Sequence, residues 1–129
     1  MDEKFEEYEK YTTLMYRSPE MVDQYKKWDV TTKVDIWMLG CVAFTLVCGQ
    51  HPFQEEQKLS IINAQYQFPD KKPLSEKCKD FIRWLLTPEP SYRPNIMHVL
   101  SVLDNWQNAK INLPPCTQII KQRQEHQTE

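Results

Sequence analysis

The chain has 129 residues, 40% apolar and 26% charged, with a formal net charge of −2, which fits one globular domain with one core. The near-neutral balance gives no electrostatic footprint for nucleic acid, and its two glycines, Gly40 and Gly49, build neither a G-x-G-x-x-G loop nor a P-loop. Cys41, Cys48, Cys78 and Cys116 form no C-x-x-C pair and read as reduced thiols.

Residues 1–10 are acidic and polar and read as a solvated lead-in. Ser18-Pro19-Glu20 then predicts a short helix, with serine as its cap, proline in the first turn and glutamate at the positive end. Residues 24–30 form an exposed connector. Next comes the stretch around which the chain is organised, Thr31 to Pro52. Thr32 and Asp35 have the spacing of a capping box, Gly49 supplies a left-handed stop, and Pro52 forbids continuation. Between Ile36 and Cys48 no residue is charged and no polar face remains, so the helix is expected to be buried on all sides. It is too short to span a membrane, which takes about 20 apolar residues. Cys41 and Cys48, two turns apart at roughly 10 Å by helix rise, cannot pair as a disulfide.

The second half reads as shorter amphipathic helices. Residues 55–66 place Leu59, Ile62 and Tyr66 on one face, and 68–73 form a turn-rich bridge. Ser75 caps a helix carrying Cys78, Phe81, Ile82, Leu85 and Leu86, which Pro88 and Pro90 end. Pro94 opens another, with Ile96, Val99, Leu100, Leu103 and Trp106 as its inward stripe. Pro114-Pro115 closes the fold, and the glutamine-rich remainder is expected to be mobile. No segment alternates with period two, so the fold class is all-α. With no secretory leader or lipidation signal recognisable, a cytoplasmic location is expected.

Three signals stand in one order: Ser18-Pro19-Glu20, then Asp35-Ile-Trp37-Met-Leu-Gly40, then Pro90-Ser-Tyr-Arg93-Pro94. Taken singly, Asp35 reads as a helix cap, Arg93 as a surface charge and Thr13 as a turn residue. Together, from about Tyr11 to Trp106, they resemble the second half of a eukaryotic protein kinase catalytic domain. Tyr11-Thr-Thr-Leu-Met-Tyr-Arg-Ser-Pro-Glu20 and Gly49-Gln-His-Pro-Phe53 are further similar to the Numb-associated kinase family. Ser18 stands where that pattern has alanine, a small-for-small change.

The resemblance implies the helical lower part of a kinase C-terminal lobe, lacking the N-lobe and the catalytic loop. It divides the chain into an acidic activation-segment remnant (1–10), a partial kinase domain (11–107) and a Pro/Gln-rich C-terminal tail (108–129). Thr13, Leu14, Met15 and Tyr16 match the substrate loop of serine/threonine-type enzymes. Glu20 and Arg93 match a buried pair, Asp35 the residue that holds the catalytic-loop backbone, and Trp37 and Gly40 its structural companions. No catalytic, cofactor-binding or metal-binding residue is assigned. ATP and magnesium belong to the intact family domain, whose phosphate loop, strand lysine, H-R-D base and D-F-G metal ligand have no match in this sequence. The chain alone is therefore expected to be inactive. Partners implied are protein substrates or adaptors of coated vesicles, and the alternative is a non-catalytic interaction module that keeps the docking surface. An exposed apolar patch is expected beside Trp37 and Cys41, with self-association through it.

Overall fold

The computed structural model describes residues 16–23, 28–53, 58–70 and 73–127. Every regular element among them is helical: α1 (Pro19–Val22), α2 (Lys33–Cys48), α3 (Lys58–Ile62), α4 (Glu76–Leu85), a 3-10 turn (Pro90–Tyr92), α5 (Ile96–Asp104) and α6 (Pro115–Gln127). The expected all-α class is what the fold shows, and no helix among the described residues is long and apolar enough to cross a membrane.

Helix α2 is the axis. It ends as the sequence dictates: Gly49 adopts φ 75°, and its N–H donates to the Thr45 carbonyl at 2.9 Å. Its start differs from expectation. Thr32 is already helical (φ −59°, ψ −12°) and its side chain caps nothing. Thr31 takes that place, its Oγ1 accepting from the Lys33 N–H at 3.2 Å.

Burial of α2 is also one-sided. Ile36, Trp37, Gly40, Cys41, Phe44 and Cys48 face inward, whereas Leu39, Val42 and Leu46 are exposed, Leu46 at 78%. An uncharged helix carries no mark of which face its neighbours will cover, and the described helices cover one. The apolar patch expected beside Trp37 and Cys41 is not found there, because both are fully buried; the exposed apolar side chains lie on the opposite side of α2.

The main core joins Trp37, Cys41 and Phe44 to Phe53, Ile61, Tyr66, Ile82, Leu86 and Ile120. A smaller cluster packs Ile36 against Leu85 and Val99. Helix α4 is capped as expected, Ser75 Oγ accepting from the Cys78 N–H at 3.1 Å, and it lies against α2 at Gly40. A β-carbon at Gly40 would meet Leu86 Cδ2 at 2.8 Å and Leu85 Cβ at 3.0 Å. Leu86 can rotate, but Leu85 Cβ is fixed to the backbone of α4. Gly40→Val is expected to lower stability by about 2–3 kcal/mol through overpacking, read as a drop in the urea midpoint.

Three expectations are corrected. Helix α3 stops at Ile62, where Ala64 takes the left-handed position (φ 49°) of a Schellman turn. The Gln65 N–H donates to the Ser60 carbonyl and the Ala64 N–H to the Ile61 carbonyl. Tyr66 therefore reaches the core from the extended chain beyond the helix; Ile61 is the buried helical residue, and Leu59 is 70% exposed. In α5, capped by Asn95, only Val99 is buried, while Ile96, Leu100 and Leu103 of the expected stripe are exposed. Finally, the glutamine-rich tail folds as α6 and docks on the core through Thr117, Ile120 and Gln124. Gln124 Oε1 accepts from Arg83 Nε at 2.7 Å, and its amide donates to the Tyr66 carbonyl at 3.1 Å. Thr117 and Thr87 share a hydroxyl–hydroxyl bond of 2.8 Å. Buried polar groups on the core thus fix a segment whose polar composition predicted none of this.

Candidate functional site

Pro19 and Glu20 form the first turn of α1, both buried. Arg93 follows the 3-10 turn, 73 residues further on, and is also buried. The two side chains meet fork to fork: Arg93 Nη1 donates to Glu20 Oε2 at 2.6 Å, and Nη2 to Oε1 at 2.7 Å. Three carbonyls take the rest of the guanidinium, those of Thr87 (2.6 Å, from Nε), Lys33 (3.1 Å) and Pro88 (2.9 Å). All five N–H groups are thereby used. The guanidinium carbon also lies 5.1 Å from the centre of the Trp37 ring, and Lys33 Nζ donates back to the Arg93 carbonyl at 2.6 Å. One side chain thus ties together α1, the start of α2, the chain after α4 and the 3-10 turn. A buried ion pair with every donor and acceptor engaged is the arrangement in which charge survives away from water.

Trp37 continues the site on its other contacts. It stacks with Phe53 (centroids 5.5 Å apart, 11° between planes), and Phe53 meets His51, which in turn meets Tyr16 edge-on at 4.7 Å. His51 is only 8% exposed. Its Nδ1 accepts from the Phe53 N–H at 3.0 Å, which places the proton of the neutral ring on Nε2. Among the described residues, that Nε2 has no hydrogen-bond partner, and neither do Trp37 Nε1 and Ser18 Oγ.

Of the residues singled out from sequence, Glu20, Arg93 and Trp37 are brought together. Gly40 lies one turn along α2, at the α4 contact. Tyr16 is half-buried against His51. Asp35 is exposed in the first turn of α2, its N–H donating to the Thr32 carbonyl at 3.1 Å, and it takes no part in the pair's network. Thr13, Leu14 and Met15 lie outside the described residues. His51 was missed. Its neighbours in Gly49-Gln-His-Pro-Phe53 carry a family signal, but nothing in the sequence tells that the imidazole is buried.

Burial sets the ionisation of the site. The Cys41 thiol is pushed up to about 12, against a smaller opposing pull from Arg93, so it is no nucleophile near neutral pH. Burial also holds His51 below the ordinary histidine range. Unfolded, His51 titrates near about 6.5, while the folded chain keeps it neutral to lower pH. Below that value the unfolded state binds more protons, so stability falls as pH falls toward the folded value. The urea midpoint is expected to drop between pH 7 and pH 5.5, and to drop less in His51→Phe, which removes this group's share.

Among the described residues no group of three His, Cys, Asp or Glu side chains is placed to hold a metal ion, and the glycine-poor chain offers no phosphate cradle.

Comparison with known proteins agrees with the geometry. The protein kinase domain matches residues 2–103. The actin-regulating kinase PRK1 of Saccharomyces cerevisiae is 39% identical over 97 residues, 75% of this chain and 12% of that protein. A probable serine/threonine-protein kinase of Dictyostelium discoideum is 35% identical over 105 residues, 81% of this chain and 9% of that protein. The serine/threonine-protein kinase ppk30 of Schizosaccharomyces pombe is 36% identical over 104 residues, 81% of this chain and 11% of that protein. The chain thus spans about a tenth of the length of these relatives.

Proposed function

Because the chain belongs to the protein kinase domain family, we propose that it forms the helical base of a serine/threonine kinase C-terminal lobe and presents that lobe's docking surface to protein substrates. The observation that carries this reading is the Glu20–Arg93 pair. It fastens the segment that follows residues 13–16 to the central helix and to the chain after α4, giving the substrate loop a rigid anchor. Thr13, Leu14, Met15 and Tyr16 are the residues proposed to meet substrate, and Asp35, exposed at the start of α2, is free to hold a catalytic-loop backbone.

The finer reading is a member of the Numb-associated kinases, most similar to cyclin-G-associated kinase over Gly49 to Pro69. It rests on Tyr11 to Glu20 and on Gly49-Gln-His-Pro-Phe53. Adaptors or other proteins of clathrin-coated vesicles in the cytoplasm are the partners it implies. Phosphoryl transfer depends on positioning and charge stabilisation by a phosphate loop, a lysine, a base and a metal ligand. These 129 residues carry none of those motifs, so transfer requires groups beyond them.

The uncovered face of α2, with Leu39, Val42 and Leu46, favours packing against a further protein surface, either the remainder of a kinase domain or, in isolation, a second copy. The purified chain is expected to show no micromolar heat of MgATP binding and no phosphate transfer to protein. Light scattering should report association that Leu46→Glu reduces. Specific micromolar MgATP binding would overturn the assignment of these residues to the base of the lobe.

A further inference from the structure

We infer that α6 is a detachable latch, and that its seat on the core is a helix-docking surface which takes the same helix from a second copy of the chain. This is independent of the substrate-docking reading above.

The seat is defined by the helix that fills it. Thr117, Ile120 and Gln124 stand at i, i+3 and i+7 on one face of α6, and all three are buried. Each meets a different feature. Thr117 bonds the Thr87 hydroxyl, Ile120 joins the main core, and Gln124 takes both Arg83 Nε and the Tyr66 carbonyl. Lys121 Nζ adds contacts to the two Asp80 oxygens at 3.1 and 3.2 Å. A hydroxyl, a branched aliphatic, an ammonium and an amide at this spacing form a recognition pattern, and every copy of the chain carries it.

Three observations make the helix separable. The groups beneath it keep partners of their own when it leaves: Arg83 Nη1 retains Asp80 at 2.8 Å, and Thr87 Oγ1 retains the Trp84 carbonyl at 2.8 Å. The packing is also thin. Ile120 is the only buried apolar side chain among the described residues of α6. Cavities of about 350 and 400 Å³ flank Gln124, the first lined by Ala64 and Tyr66, the second by Phe68 and Arg83, so the helix rests on its seat without filling it. Finally, the protein kinase match ends at residue 103, so α6 is packed onto the family's helices from beyond that match. The connection suits a swing. Lys77 Nζ pins the Trp106 carbonyl at 2.6 Å, and residues 109–114 run without regular structure to Pro115, where α6 begins. A second copy's α6 recreates every contact made within one chain, which is why exchange of an identical element is a low-cost route to a dimer.

The test uses the full-length chain, nitrogen-15-labelled and carrying Leu46→Glu to suppress association through α2. Its own α6 is lifted by adding Ile120→Asp, whose charge cannot stay buried in the seat. Far-UV circular dichroism should then lose only the share of α6, a helix too short to persist alone in water. Unlabelled, acetylated and amidated peptide spanning Ile111 to Gln127 should bind and shift the amides of Ala64, Tyr66, Phe68, Arg83 and Thr87, and the same peptide with Ile120→Asp should not. The chain with α6 intact should bind at least about tenfold more weakly, because a seat closed about nine-tenths of the time reduces apparent affinity by that factor. Gln124→Ala in place of Ile120→Asp should fall between. Concentrated Leu46→Glu chain should form dimers that Ile120→Asp abolishes; peptide binding without such dimers refutes the second copy as occupant. An Ile120→Asp chain that loses its other helices along with α6 overturns the latch, since the helix would then belong to the core. A peptide that binds intact and lifted chains equally, or neither, overturns the seat.

Discussion

Replacing Arg93 by alanine is expected to remove a large share of the chain's stability. Removing one partner from a buried pair leaves a buried charge without compensation and costs about 3–5 kcal/mol, against a total stability of about 5–15 kcal/mol for a typical domain. Here Glu20 would keep its carboxylate, with its side chain fully shielded from water. The carbonyls of Thr87, Lys33 and Pro88 would lose their donor as well. Arg93→Lys should not rescue, because one ammonium cannot reproduce a planar fork with five donors. The double change Glu20→Leu with Arg93→Met separates two effects. Hydrophobic replacement of a buried pair is often neutral, but three carbonyls here stay unpaired, so the double variant should remain less stable than the parent. Arg123→Ala, at an exposed position of α6, should change stability by less than about 0.5 kcal/mol. Urea unfolding followed by circular dichroism reads all four. A parent-like Arg93→Ala would mean that the pair is not what holds α1 to α2.

What the sequence made legible divides by the kind of information each feature needs. Gly49 and Pro52 end α2 through their own covalent geometry, and Ser75 caps α4 through its own hydroxyl, so both could be read locally. Glu20 and Arg93 are 73 residues apart, and no periodicity relates them; only the order of the three motifs brought them together. Helix α6 was illegible because its anchors are polar. Gln124 and Thr117 look like tail residues until Arg83, Tyr66 and Thr87 are seen to present buried groups to them. His51 is similar, since its burial comes from Tyr16 and Phe53 closing around it. The orientation of α2 failed for the opposite reason. An amphipathic helix declares its inner face, but one with apolar residues on every side declares none, so which side lay open could be learned only from the packing.

That open side supports the last prediction, which compares two apolar residues of α2 that are two positions apart. Phe44 is fully buried, edge-on to Tyr66 at 5.7 Å and tilted against Phe68 at 5.3 Å. Phe44→Ala should cost about 3–5 kcal/mol, from lost transfer energy and the cavity left at the centre of the aromatic cluster. Leu46 is 78% exposed, and Leu46→Ala should change the stability of the monomeric chain by less than about 0.5 kcal/mol, because alanine gives up little burial and is the better helix former. In a longer protein that supplies the rest of a kinase domain, the proposed packing would bury Leu46. The same substitution should then cost about 2–5 kcal/mol, while Phe44→Ala keeps its cost in both settings. Unfolding midpoints for the two variants, in the short chain and in the longer one, give four values. A Leu46→Ala cost that stays near zero in the longer protein would show that this face of α2 is not where the remainder of the domain packs.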